Sequence, residues 1–345
     1  MERLAQLRQW LAEVCPAGGD AQIAPASADA SFRRYFRVTL AGATWIAMDA
    51  PPAQEDCRPF VDVAQRLRAA GLNVPEVVQA DLARGFLLLT DLGHETYAAR
   101  LAPETADDLY GGAIAALVRI QAHADPGDLP PYDAALLDRE MALFRDWLLG
   151  RHLGLALTAA EEAALADTCT ALRQAALEQP RTFVHRDYHS RNLMCATGAA
   201  GGGSQHGPGI LDFQDAVHGP LTYDLVSLLR DCYVTWPAVR VEGWLADYRR
   251  QAAEAGLDTG DSASFRRWLD LMGVQRHLKA SGIFARLWHR DGKPGYLADI
   301  PRTLRYIVSV GPAHPGSAWL AAFVAERVLP LVVERQAERS AEVPP

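Results

Sequence analysis

The sequence predicts a two-lobed α+β fold, with a strand-rich N-lobe over residues 1–91 and a mainly helical C-lobe over residues 92–345. Three observations predict it. Short strand-like runs separated by polar turns crowd residues 22–90, whereas apolar residues recur at helical spacing from residue 106 onward. A chain of 345 residues is long enough to bury a large core and to split it. Strands followed by helices, rather than alternating with them, suit segregated packing.

Taken in order, residues 2–14 place Leu4, Leu7, Leu11 and Val14 on one helical face. This charged, amphipathic start lacks the apolar stretch and small-residue cleavage site of a signal peptide, so the cytoplasm is expected. Strand patterns follow: a short entry, the turn Ala28-Asp29-Ala30-Ser31, then FRRYFRVTL and TWIAMDA. Residues 59–70 form an amphipathic helix through Phe60, Val63, Ala64 and Leu67, ended by Gly71. EVVQAD turns through LARG into GFLLLTDLG, a wholly apolar strand with a turn after it. Helical patterns then cover residues 106–123, 136–149 and 158–177, and Pro180 punctuates the approach to residues 183–215. A helix opens after Gly219-Pro220, helices run on from Val241, and residues 317–335 close the domain before a frayed SAEVPP tail.

Composition narrows the function classes. The chain is 49% hydrophobic and 22% charged, ordinary for a globular protein, and no run of 18 apolar residues predicts a membrane span. A formal net charge of -8 argues against a nucleic-acid surface or a lipid surface. Cys15, Cys57, Cys169, Cys195 and Cys232 are odd in number and lack metal-ligand spacing, which reads as reduced thiols.

The chemistry concentrates in FVHRDYHSRNLM and GILDFQD. His185, Asp187 and Asn192 form the frame H-x-D-x-x-x-x-N, and Asp212 follows the apolar pair Ile210-Leu211. Phosphoryl transfer needs these residue types: one carboxylate to orient the attacking hydroxyl, and an amide oxygen with a second carboxylate to hold magnesium against phosphates. The spacing lets one tight loop aim Asp187 and Asn192 together. The intervening TGAAGGGSQHGPG lacks the strand–loop–helix frame and Lys-Ser/Thr ending of a P-loop, so it reads as a flexible hairpin tip with an exposed His206.

These residues resemble the catalytic and metal-binding loops of the aminoglycoside phosphotransferase-like kinases, relatives of the protein kinases, with Asp212-Phe213-Gln214 where protein kinases carry D-F-G. The resemblance implies a protein-kinase-like fold with the active site in the cleft between lobes, ATP and Mg²⁺ as cofactors, and a monomer. It implies Asp187 as the catalytic residue and Asn192 and Asp212 as metal ligands. His185 and Asp224 then support the catalytic loop, and Asp231 lines an acceptor pocket. Thr90, Asp91 and Leu92 stand at the hinge that binds adenine. The loop ADASFRRYFR holds no glycine, so Ser31 and an arginine must meet the phosphates. Arg34 and Arg37 are the candidates and Arg34 is assigned, though residue types alone do not separate it from Arg33 or Arg37. The lysine that a kinase's third strand offers falls near Met48, and no lysine precedes Lys279.

Together, ASFRRYFR, IAMDAPP, FVHRDYHSRNLM, ILDFQDAVHGPLTYDLVSLLRDCY and QRHLKASGIFARL resemble the bacterial anomeric sugar kinases that act on N-acetylmuramate and N-acetylglucosamine. This implies transfer to the C1 hydroxyl of a small amino sugar, giving the α-1-phosphate, in cell-wall recycling. Residues 275–302, dense in aromatics and cations, are the expected sugar region, with His277 and Arg286 as contacts. Two alternatives stay open: a kinase of another hydroxylated small molecule, such as an aminoglycoside, a choline-like alcohol or homoserine, and a nucleotide-binding pseudokinase.

Overall fold

The computed structural model describes residues 2–14, 21–28, 32–40, 42–195 and 207–342. The expected turn at 29–31, with Ser31, and most of the Gly-rich tip, with His206, lie outside them. Packing divides the chain into two units, Met1–Arg100 with Arg191–Asp215, and Leu101–Ser190 with Ala216–Pro345. The break thus falls after Arg100, and the stretch carrying Asn192 and Asp212 packs with the strands.

In the first unit, β1 (Gln22–Ala28), β2 (Arg34–Leu40), β3 (Ala43–Asp49), β4 (Val77–Asp81) and β5 (Phe86–Thr90) form an antiparallel sheet in the order β1-β2-β3-β5-β4. Helix α1 (Glu2–Val14) covers one face, where Leu7, Trp10 and Leu11 meet Val38, Ala47, Phe86 and Leu88. The β2–β3 register pairs Arg34 with Asp49, Phe36 with Ala47 and Val38 with Trp45. Because side chains alternate across a pleat, these pairs share the α1 face, while Tyr35, Arg37, Ile46 and Met48 point to the other. Helix α2 (Arg58–Ala69) buries Phe60, Val63, Ala64 and Leu67, and Phe60 packs on Phe213 with centroids 4.8 Å apart. A short helix α3 (Tyr97–Arg100) ends the unit's first stretch.

The second unit is helical: α4 (Ala106–His123), α5 (Ala134–Leu143), α6 (Ala159–Leu177), α7 (Tyr223–Leu229), α8 (Ala238–Glu254), α9 (Ser262–Asp291), α10 (Ile300–Val310), α11 (Pro315–Phe323) and α12 (Leu329–Glu342). A π-helical stretch, Phe144–Leu153, extends α5. The 30-residue α9 is its axis, packed against α5, α6, α7 and α10. Its residues 271–279 are all buried, so Arg276, His277 and Lys279 do not form an open surface there. A Cβ at Gly282 would collide with the Leu143 backbone, which is why the smallest residue sits where α9 crosses α5. The continuous helical stretch Pro315–Arg339 is long and apolar enough, by length and composition alone, to cross a membrane, which the residue-run reading did not register. Within the unit it buries Leu320, Ala321, Val324, Val328 and Val332, as a core helix does.

Two small two-stranded sheets carry the functional loops. In the second unit β6 (Arg181–Val184) pairs with β9 (Val217–Pro220). In the first, β7 (Leu193–Met194) pairs with β8 (Gly209–Ile210), tied in by Cys195 N–H to Glu95 C=O at 2.8 Å and Ile210 N–H to Asn73 C=O at 2.8 Å.

Candidate active site

In the helical unit, β6 delivers the chain to His185, Arg186 and Asp187. Arg186 has φ of +79°, a left-handed backbone that a side chain rarely adopts. The Asp224 carboxylate, at the start of α7, holds this turn by accepting the N–H groups of His185 at 2.6 Å and Arg186 at 3.0 Å. His185 Nδ1 in turn accepts the Asp187 N–H at 3.2 Å. Burial pushes the Asp224 carboxyl up to about 7, against the pull of the two backbone bonds. Asp187 responds the other way. Burial would raise it, but the charges of Lys279, His189, Arg186 and Arg276 outweigh that and hold its carboxylate at about 2.

Behind Asp187 lies a buried charge network. Glu140 accepts from Arg186 Nη2 at 2.5 Å and lies 3.1 Å from Lys279 Nζ, while the Tyr132 hydroxyl donates to its other oxygen. Lys279 also donates to the Tyr223 hydroxyl at 2.9 Å. Burial would push the Lys279 ammonium down and the Glu140 carboxyl up; each is reversed by the other's charge, helped at Glu140 by Arg186. The two therefore remain ionised together.

Asp231, expected in an acceptor pocket, is instead buried and spent on the loop. Its Oδ2 accepts the Ser190 hydroxyl at 2.5 Å and N–H at 3.0 Å, and its Oδ1 accepts the Tyr233 N–H at 2.9 Å. His277, expected at the sugar, is fully buried, with Nε2 on the Arg230 carbonyl at 2.9 Å and its ring stacked on Tyr306. Burial beside Arg276 depresses it to about 3, so it stays neutral. Arg286 is half-buried on α9, and no pairing in the described residues links it to the Asp187 cluster.

In the strand-rich unit, the β7–β8 hairpin brings Asn192 and Asp212 together. Asn192 Nδ2 donates to Asp212 Oδ2 at 3.3 Å, and Leu211 N–H donates to Asn192 C=O at 2.9 Å. Asp212 adopts φ of +63°, the second left-handed non-glycine residue, and Gln214 Nε2 donates to its Oδ1 at 2.9 Å. An amide and a carboxylate offer oxygen donors of the kind magnesium takes when phosphates supply the rest. No cluster of three or more His, Cys, Asp or Glu exists among the described residues, and a site of this type needs none.

At the expected hinge, Thr90 Oγ1 accepts the Glu76 N–H at 2.9 Å. Asp91 is clamped by Arg37 (Nε–Oδ2 2.7 Å, Nη2–Oδ1 3.1 Å), which also reaches the Gly93 carbonyl at 2.7 Å. Leu92 packs where Gly209 leaves room for it. Arg34 lies on the α1 face and pairs with Asp49, which Arg3 also engages. Arg33, its neighbour, instead brings Nη2 to 3.6 Å from Asp212 Oδ1.

Sequence reasoning passed over Glu140, Arg186 and Ser190. Lys279 carried the one legible signal, being one of only two lysines in the chain.

An antiparallel five-stranded unit, a helical unit holding an H-x-D loop, and a paired Asn and Asp at a strained turn define a phosphotransferase of the protein-kinase-like class. The chain belongs to the phosphotransferase enzyme family, whose model matches residues 22–265. It is 48% identical over 337 residues to the N-acetylmuramate/N-acetylglucosamine kinase of Pseudomonas putida, covering 94% of this chain and 96% of that one. The protein of the same name from Neisseria meningitidis is 40% identical over 334 residues, covering 95% and 97%. Among solved structures, the choline kinase of Streptococcus pneumoniae superposes with a TM-score of 0.61 at 10% identity, over 90% of this chain and all of that one (100%), and shows the shared fold. ATP is the phosphate donor that this kinase family implies.

Proposed function

We propose that this protein transfers the γ-phosphoryl group of ATP to the anomeric C1 hydroxyl of N-acetylmuramate and N-acetylglucosamine, forming the α-1-phosphate for cell-wall recycling. The observation that carries the reading is near-full-length identity of 48% to a kinase of that name. The intact set Asp187, Asn192 and Asp212 supports catalysis over a merely nucleotide-binding role.

Asp187 accepts a hydrogen bond from the C1 hydroxyl and takes its proton as the oxygen attacks. Its low-lying pKa makes it primarily an orienting group, so that the proton moves late, once the oxygen has begun to bond to phosphorus. Asp224 and Asp231 fix the backbone on either side of it. Asn192 and Asp212 would hold Mg²⁺, which supplies neutralisation of the phosphate oxygens when bound. Thr90, Asp91 and Leu92 frame the adenine end, with Arg37 stiffening that turn. The reading places the enzyme in the cytoplasm as a monomer.

³¹P NMR of a reaction with ATP, Mg²⁺ and each free sugar tests it. A sugar-1-phosphate resonance from both free sugars, and none from the 1-O-methyl glycoside, is the expected result. Transfer to the blocked glycoside would refute C1 as the acceptor, and no transfer to either free sugar would refute the substrate class.

A further inference from the structure

An acceptor sugar has to bring its C1 hydroxyl within hydrogen-bond reach of Asp187, so the groups that hold it must lie around that loop. A pyranose offers them two surfaces: a rim of hydroxyls, and an apolar C–H face, weakly positive, that suits the negative face of an aromatic ring. Such stacking needs a ring with a face open to solvent. Most rings around the loop fail that test. His185, Tyr188, Tyr132 and Tyr223 are each at most 1% exposed. His277 is buried too, stacked on Tyr306. Tyr233 differs. It is partly exposed, and its ring meets His189, two residues after Asp187, edge-on with centroids 5.2 Å apart. Its backbone is tied to the same loop, because Asp231 accepts the Tyr233 N–H at 2.9 Å through one oxygen and the Ser190 N–H at 3.0 Å through the other. Phe284 of α9 packs against Tyr233 at 6.1 Å, and Tyr296, also partly exposed, stacks on Phe284 at 5.7 Å with planes 17° apart.

We infer that Tyr233, with Tyr296 joined to it through Phe284, forms the aromatic platform that binds the acceptor's pyranose ring. The inference rests on the kinase reading above and names the residues of its sugar site. Phe284 is buried and packs against both tyrosines, so little side-chain freedom is left to lose when a sugar settles on them. Asp231 joins the platform to the catalytic loop, so a ring seated on Tyr233 is held in register with the Asp187 carboxylate. Asp231 thus serves the acceptor without touching it. A stacked face reads the pyranose that N-acetylmuramate and N-acetylglucosamine share, and not the lactyl ether that distinguishes them, so one site takes both. A second place for a sugar exists in the same unit, a cavity of about 600 Å³ lined by Thr235, Arg302, Arg305, Tyr306 and Gln336. Its contacts fall on the backbone beyond Asp231: Arg302 donates to the Cys232 carbonyl at 2.9 Å, and the Tyr306 hydroxyl to that of Val234 at 3.3 Å. Tyr233 instead reaches the catalytic loop with its own ring.

Steady-state kinetics of the full chain with ATP, Mg²⁺ and each free sugar test this. Tyr233→Ala is expected to raise KM about 10-fold for both sugars alike, the order expected for losing an aromatic contact, and to leave KM for ATP in place. Tyr233→Leu, which refills the space against His189 and Phe284 without an aromatic face, should lose as much. Tyr233→Phe, which restores the face, should recover most of the loss. Tyr296→Ala should show the same pattern at roughly 3-fold. An unmoved sugar KM in Tyr233→Leu would overturn the inference. So would an equal rise for ATP, which would make Tyr233 a support of the catalytic loop, or a loss in Tyr233→Phe as large as in Tyr233→Ala, which would assign the contact to the hydroxyl. Arg305→Ala is the rival arm: a rise in sugar KM there as large as in Tyr233→Ala would place the sugar in the cavity. If the unaltered protein phosphorylates neither sugar, the substrate reading falls and takes this inference with it. Normal turnover with an unmoved KM in the Tyr233 variants removes the inference alone.

Discussion

In the helical unit, the Asp187 carboxylate feels the charges of Lys279, Arg186 and Arg276, backed by the buried Glu140–Lys279–Arg186 network. In the strand-rich unit, Asp212 is about a third exposed (34%), and its partners include the Arg33 guanidinium and the side-chain amides of Asn192 and Gln214. The two aspartates, which the proposed function assigns to one reaction, are held by opposite means. Asp187 must keep one orientation and stay ionised, which fixed charges in a poorly screened interior achieve. In the proposed role Asp212 would accept and release a ligand with each turnover, which a partly exposed carboxylate allows.

The substitution that would break this contrast most forcefully is Asp187→Asn. It removes the orienting charge without altering shape, and kcat is expected to fall about a thousandfold, within the range for a general base. ADP affinity should hold, since the proposed role of Asp187 is toward the acceptor hydroxyl. A kcat within a few-fold of the unaltered enzyme would show that Asp187 has no such role.

Next in size is the stability difference between the two surroundings. Glu140→Ala strands Lys279 and Arg186 in the interior and should lower unfolding free energy by about 3–5 kcal/mol. Asp212→Ala removes a partly exposed carboxylate and should change it by less than about 1 kcal/mol. Urea titration of both variants gives the comparison directly, and equal losses would erase it.

A pH dependence sharpens the comparison inside the helical unit. Asp224, with its carboxyl raised to about 7, keeps a proton in the folded state that the unfolded chain releases near its model value of 3.8. Stability from this group is therefore present at the acid end and declines as pH rises through 7. Asp187, lowered to about 2, has the opposite sign: its contribution is present above 3.8 and is lost as pH falls through 2. Asp224→Asn should flatten the fall in unfolding free energy between pH 4.5 and 7.5, about the window between the two Asp224 values. An unchanged slope would show that other groups set it.

What the sequence disclosed, and what it withheld, follows the range of each interaction. The strand-then-helix order was legible because alternation and helical spacing are local. His185, Asp187 and Asn192 share one loop, so their frame is visible in eight residues. The choice among Arg33, Arg34 and Arg37 was not, because FRRYFR places arginine at both parities and only the register against Asp49 tells which face each takes. Residues 275–279 read as a possible sugar surface because cations in a sequence look solvated. Their partners, Glu140 and Arg230, lie far off in the chain. Asp231 was likewise ambiguous until Ser190 and Tyr233 accounted for both its oxygens.

The left-handed backbone at Asp212 and Arg186 carries a consequence for engineering. Glycine would occupy either position more comfortably, by about 1 kcal/mol per site. A thermostability selection blind to turnover would therefore be drawn toward glycine at 212. It would harvest a hardier protein that had lost the carboxylate proposed to hold the metal, so any campaign to toughen this enzyme has to screen for product in the same round.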